Sequence, residues 1–160
     1  MMETHVHYRI TGLPAAPFVH LYDLSDQALA RHGAMRCRVD APAAYPDRIE
    51  LRDAEVGESV ILVNHLHQPA DNAFRSSHAI FVLEGAVNSY DGVDQVPAVM
   101  RRRTLSLRAF DRDDFMVDAD LCEGTEAERL IARLLTEPRV AYLHAHYARR
   151  GCYAARVERA

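Results

Sequence analysis

The stretch VAYLHAHYARRGCYAARVE, residues 140–158, decides the fold. In its first run Ala141, Leu143, Ala145 and Tyr147 alternate with Tyr142, His144 and His146. That period of two marks a strand with one apolar face. In the second run Tyr153, Ala155 and Val157 alternate with Cys152, Ala154, Arg156 and Glu158. A two-residue loop at Arg150 and Gly151 would mix these rows. A three-residue loop, Arg149-Arg150-Gly151, keeps them apart and puts glycine where a left-handed residue is needed. This register pairs Tyr147 with Tyr153, Leu143 with Val157 and His144 with Arg156. It predicts one polar face carrying His144, His146, Cys152 and Arg156, and one apolar face buried in the core.

Outward from the hairpin, the pattern is strands in pairs with helices between them. Residues 5–10 alternate, with Val6, Tyr8 and Ile10 inward. Ser25 caps a helix over 26–32 that Gly33 ends, and residues 34–39 form a strand. Residues 48–52 and 58–67 read as two strands around Gly57. The run Val60-Ile61-Leu62-Val63 is apolar on both faces, the mark of a central strand. A polar loop over 68–76 leads to a strand over 77–83. Pro97 opens a short helix. Residues 104–110 and 115–121 form a second hairpin, predicted to set Arg108 across from Asp118 and Ser106 across from Asp120. Thr125-Glu126-Ala127-Glu128 spells a capping box, and the helix after it carries the stripe Leu130, Ile131, Leu134 and Leu135. Pro138 stops that helix. The expected fold is α+β: a single domain over residues 1–160, mainly antiparallel sheet built from hairpins, with about three helices packed on it.

Composition excludes several functions. The 160 residues carry a formal charge of −4, which argues against nucleic-acid or anionic-membrane partners. The amino-terminal stretch MMETHVHYRI lacks the order of a signal peptide. Cys37, Cys122 and Cys152 are widely spaced, so a reducing cytoplasm is the expected compartment. All 19 basic residues are Arg. Without lysine there is no Schiff-base chemistry and no P-loop. No G-x-G or G-x-S-x-G run is present, which removes the dinucleotide fingerprint and the nucleophile elbow.

The remaining chemistry lies in histidine. His144-x-His146 and His65-x-His67 each put two imidazoles on one strand face, a spacing that metal sites use. With His78, Asp118 and Asp120 they suit zinc, iron, manganese or nickel. Alternation on any wet sheet face gives the same spacing, so no metal ligand is assigned from sequence. Cys152 follows two arginines that would favour its thiolate, with His144 or His146 as a base; a small semi-buried cysteine is the plainer reading. Arg101-Arg102-Arg103 reads as a helix end. Asp111, Asp113 and Asp114 read as a turn, because the glycine and glutamate of a calcium loop are missing.

Three runs, NHLHQPADNAFRSSHAIFV (residues 64–82), LSLRAFDRDDFMVDAD (105–120) and PRVAYLHAHYARRGCYAARV (138–157), resemble the bacterial family known as domain of unknown function 1203. The resemblance implies a small stand-alone bacterial protein and brings no catalytic residues with it. His65 departs from the aromatic residue implied at its position, so it carries less weight than its neighbours.

The expectation from sequence is a small polar or anionic ligand bound on a wet His- and Arg-lined sheet face, with catalysis left open and the cofactor and oligomeric state unassigned. His144, His146 and Cys152 are the catalytic candidates. Arg156, His78, His67, Arg75 and Asp118 are the ligand-binding candidates. The alternatives are a metal-dependent enzyme built on the His-x-His pairs and a non-catalytic interaction module.

Overall fold

The computed structural model describes residues 5–160. Residues 1–4, part of the amino-terminal stretch read above for a signal sequence, lie outside it. The described residues form nine strands and three helices. The larger sheet holds β1 (Tyr8–Thr11), β5 (Asp91–Val93), β6 (Thr104–Phe110), β7 (Met116–Glu123), β8 (Tyr142–Tyr147) and β9 (Cys152–Arg159), in the order β5-β1-β9-β8-β6-β7. The smaller holds β2 (Met35–Arg38), β3 (Ser59–Gln68) and β4 (Ser76–Leu83), in that order. Every strand pair is antiparallel. This is the α+β fold expected, divided between two sheets. No helix among the described residues is long and apolar enough to cross a membrane.

The helices are α1 (Asp26–Arg31), α2 (Ala98–Arg101) and α3 (Ala127–Thr136). Ser25 caps α1, its hydroxyl accepting from the Ala28 N–H at 3.1 Å, and Gly33 after it takes φ +68°. The stripe Leu130, Ile131, Leu134 and Leu135 is buried against Leu105, Leu107, Leu143 and Val157 of the larger sheet. Strand β3 is the central strand of its sheet, and Val60 and Ile61 are fully buried in a second core with Leu29, Ile80 and Val82. Strand β8 is buried at every residue.

Four expectations fail, each for a local reason. Residues 48–52 are not a strand: Leu51 takes φ +51°, and the Leu13 and Tyr90 N–H groups bond to the carbonyls of Arg48 and Ile49. Strand β3 pairs with β2 in their place. In the β6–β7 hairpin, Leu107 faces Asp120 and Arg108 faces Ala119, because the ladder skips a residue between the Ala109–Asp118 and Phe110–Met116 pairs. The capping box does not form. The chain enters α3 through a 3-10 turn, Gly124–Glu126, with no side-chain cap. Gly124 packs so tightly on the end of α2 that a Cβ there would strike the Met100 carbonyl. Finally, β8 and β9 keep the expected pairs Leu143–Val157 and His144–Arg156, but a bulge at Ala154 then pairs His146 with Tyr153 and Tyr147 with Cys152.

Leu134→Ala should lower stability by roughly 2–5 kcal/mol, because it opens a cavity under α3. Thr125→Ala should shift it by less than about 0.5 kcal/mol, as at any surface position. Urea unfolding of both variants checks the pair. A larger loss at Thr125 would restore the capping box.

Candidate functional site

The site lies between the sheets, on the face of β8 away from α3. Alternation along β8 puts His144 and His146 on that face. The third histidine comes from β3. The β3–β4 ladder runs Leu66–Ser77 and then Gln68–Ser76, leaving His67 as the extra residue of a bulge. A bulge re-aims its side chain, and here both His67 and Gln68 are buried. The second bulge, at Ala154, turns Tyr153 onto the same face, where it faces His146. Tyr153 stacks flat on His67, with centroids 5.3 Å apart and planes 5° from parallel, and presents an edge to His144 and His146.

The face is therefore enclosed rather than wet. His144 is 4% exposed and His146 1%. One ring nitrogen from each of His67, His144 and His146 lies within 4.8 Å of the other two. Two of the three imidazoles are held from behind. Nδ1 of His146 is 2.8 Å from the Gly151 carbonyl, which can only accept, so Nδ1 carries the proton and Nε2 keeps a free lone pair. Nε2 of His67 is 3.3 Å from the Ser76 hydroxyl. Three buried ring nitrogens, Nδ1 of His67, Nδ1 of His144 and Nε2 of His146, have no hydrogen-bond partner.

Electrostatics keep the cluster neutral. Burial is the main cause, and it pushes His67 down to about 4 and His144 and His146 down to about 3. Neighbouring cations and histidines add to it. Arg108 and Arg156 sit directly across from His144 on β6 and β9, and His65 and His78 lie near His67. Behind this layer Gln68 donates to the Tyr142 hydroxyl at 3.0 Å, and that hydroxyl donates to Asp114 at 2.6 Å. The neutral imidazole is the form with a lone pair to offer, and in His146 the Gly151 carbonyl fixes which nitrogen carries it.

The other candidates are dispersed. Arg156 lies over the Tyr142 ring at 4.1 Å and reaches Glu158. Asp118 and Asp120 are on the α3 side, paired with Arg133, because the β6–β7 bulge turns them away from the histidines. Arg75 bonds to the carbonyls of its own loop, Pro69 and Ala70. His78 is on β4, outside the triad. Cys152 shares the Tyr147 side of the hairpin and accepts from Arg48 at 3.0 Å. His65 stays out of the triad, against Phe18 and Tyr153. A second grouping, His5, His7 and Asp94, is surface-exposed at both histidines and already paired, His7 to Asp94. Sequence reasoning missed Arg48, which is fully buried, and placed Tyr153 in the core with Tyr147. Nothing in the local pattern marks a buried arginine, and the bulge at Ala154 carries no glycine or proline to announce it.

The lowered histidines give stability a pH dependence with a definite sign. Above about pH 6.5 the folded and unfolded chains both hold these rings neutral. Below it the unfolded chain takes up protons that the folded cluster refuses, so stability falls as pH drops toward about 4, by up to about 1.4 kcal/mol per pH unit for each histidine. Urea midpoints in chelator, taken between about pH 7.5 and 5.5 and so above the carboxylate range, should fall steadily. They should fall less for His144→Gln. A flat wild-type profile would mean that the rings protonate freely in the folded state.

The family described as Protein of unknown function (DUF1203) matches residues 44–159, a span that takes in the whole triad, both bulges and Arg48. No curated protein and no solved structure matches the chain. The matched span is well over half of the sequence, and the chain belongs to the DUF1203 family.

Proposed function

We propose that this protein binds a divalent transition-metal ion through His67, His144 and His146, and that the ion is its functional centre. One observation carries the reading: three buried imidazoles converge, each with a ring nitrogen that has no partner in the protein. An unsatisfied buried polar group costs ~1–3 kcal/mol, so three of them weigh heavily against a typical stability of roughly 5–15 kcal/mol. An ion held among the three rings would offset that cost. Nitrogens bound to one tetrahedral ion at roughly 2.0–2.1 Å sit about 3.3 Å apart. Spacings within 4.8 Å close to that value by small ring rotations. The Gly151 carbonyl and the Ser76 hydroxyl then serve as the outer partners that orient ligating histidines.

Neutral imidazole suits zinc first, then iron and nickel. Three protein ligands leave a coordination position for water or a substrate atom, the arrangement of catalytic rather than structural zinc. Metal-assisted hydrolysis is the reaction class that such a centre serves best, with the bound water acidified to near neutrality. Arg108 and Arg156, flanking His144 along the sheet, are placed to hold the charge of an anionic substrate.

Tag-free protein should retain about one equivalent of metal by elemental analysis, as expected for a single three-histidine centre. Chelated protein titrated with Co(II) should develop visible d–d bands that saturate at the same ratio. His67→Gln and His146→Gln should abolish both signals while the chelated variants still unfold cooperatively in urea, at midpoints lowered by the loss of the Ser76 and Gly151 contacts. Absence of retained metal together with a featureless Co(II) titration would sink the proposal.

A further inference from the structure

A second site lies where the β8–β9 turn meets the smaller sheet. A cavity of about 750 Å³ opens there, and Arg48, Arg102, Arg103, Arg149 and Arg150 all contribute to its wall. Glu123 is the one carboxylate in the lining. The chain as a whole is acidic, at −4, so this concentration of guanidinium groups is local and focuses positive potential in a concave space.

The charges are poorly compensated from within. Arg102 and Arg103 share a single carboxylate, Asp53, at 2.8 and 2.7 Å. Arg149 and Arg150 are exposed and make no ion pair or side-chain hydrogen bond among the described residues. Arg48 is 1% exposed, yet its partners are the Tyr153 and Pro46 carbonyls and the Cys152 sulfur, with no carboxylate among them. The neighbouring Asp47 carboxylate acts on it without a direct bond, being held by the Glu50 and Leu83 N–H groups, and a buried cation with no directly bonded anion is a costly arrangement. A second, independent sign is Tyr147. Its side chain lines the cavity and its ring lies 5.1 Å from the Arg48 guanidinium and 5.2 Å from that of Arg103. Its hydroxyl is buried without a hydrogen-bond partner. The remaining wall includes Leu62, Ile80 and Phe81, an apolar surface suited to an organic body.

We propose that this cavity binds a phosphate-bearing small molecule, with the phosphoryl group held by the arginines around Tyr147 and the organic part against Leu62, Ile80 and Phe81. A phosphate monoester brings close to two charges and three terminal oxygens at neutral pH, whereas a carboxylate brings one charge and two oxygens. Several converging guanidinium forks match the former. The volume lies within the range of small-molecule sites. The site does not depend on the histidine centre. Cys152 and Tyr147 face each other on the opposite side of the hairpin from His144.

The test is calorimetric titration of inorganic pyrophosphate into the full chain at constant ionic strength, with chelator present so that metal binding plays no part. Saturable binding is expected, weakened roughly tenfold or more in Arg149→Ala/Arg150→Ala. These side chains make no internal bonds, so the variant should keep the wild-type urea midpoint. Arg31→Ala/Arg112→Ala removes the same charge from elsewhere on the surface and should leave the affinity unchanged. Tyr147→Phe, which deletes only the hydroxyl, should weaken binding with little change in fold. The proposal is overturned by any of three results: no saturable binding, an equal loss in both double variants, or citrate binding as tightly as pyrophosphate.

Discussion

Strand β8 is buried along both of its faces, and the chemistry of the molecule follows from that confinement. Leu143, Ala145 and Tyr147 belong to the core under α3, while Tyr142, His144 and His146 face the smaller sheet. Polar groups in such a layer cannot turn to water, and burial disfavours their charged forms. Tyr142 is satisfied by Gln68 and Asp114, and His146 is satisfied on one side by Gly151. One ring nitrogen each of His144 and His146 is left without a partner, in the same layer where the two rings converge with His67. A neutral, dry, convergent set of imidazoles is therefore a consequence of sandwiching a polar strand face between two sheets.

Two bulges complete the arrangement. A regular ladder through Leu66 and Gln68 would send one of His67 and Gln68 outward; the bulge lets both point between the sheets. On β9 the bulge at Ala154 exchanges the faces of the first two residues, so Tyr153 joins the histidines and Cys152 joins Tyr147. Each irregularity gives up a ladder position and places a side chain beside the triad, a recurring use of bulges near sites.

Arginine does structural work that lysine could not. The Arg48 fork ties its loop to the Tyr153 carbonyl, the Pro46 carbonyl and the Cys152 sulfur together, a geometry that a single ammonium cannot match. Burial lowers its pKa, and the surrounding acceptors oppose that shift. From sequence the same loop reads as one of two strands around Gly57. Its Arg48 and Ile49 carbonyls are committed to Leu13, just past β1, and to Tyr90, and Arg52 folds back on Asp47.

Sequence alone determined whatever depends on near neighbours in the chain. The Ser25 cap, the α3 stripe, the apolar centre of β3 and the pairing of Leu143 with Val157 all follow from local periodicity and side-chain chemistry, which act over a few residues. The family was legible too, from three long runs that cover much of its matched span. The candidate histidines were named from their spacing, but their gathering was not. His67 and His144 are 77 positions apart, and what joins them is the packing of two separate sheets, which alternation within a strand does not encode. Register near the hairpin ends escaped for the same reason. A bulge costs little locally and is selected by what its side chains meet across the sheets, so Tyr153 and Cys152 exchanged faces with no mark in the sequence. Tertiary packing also decided the burial of His144 and His146, which the sequence reading sets on a wet face and the smaller sheet covers.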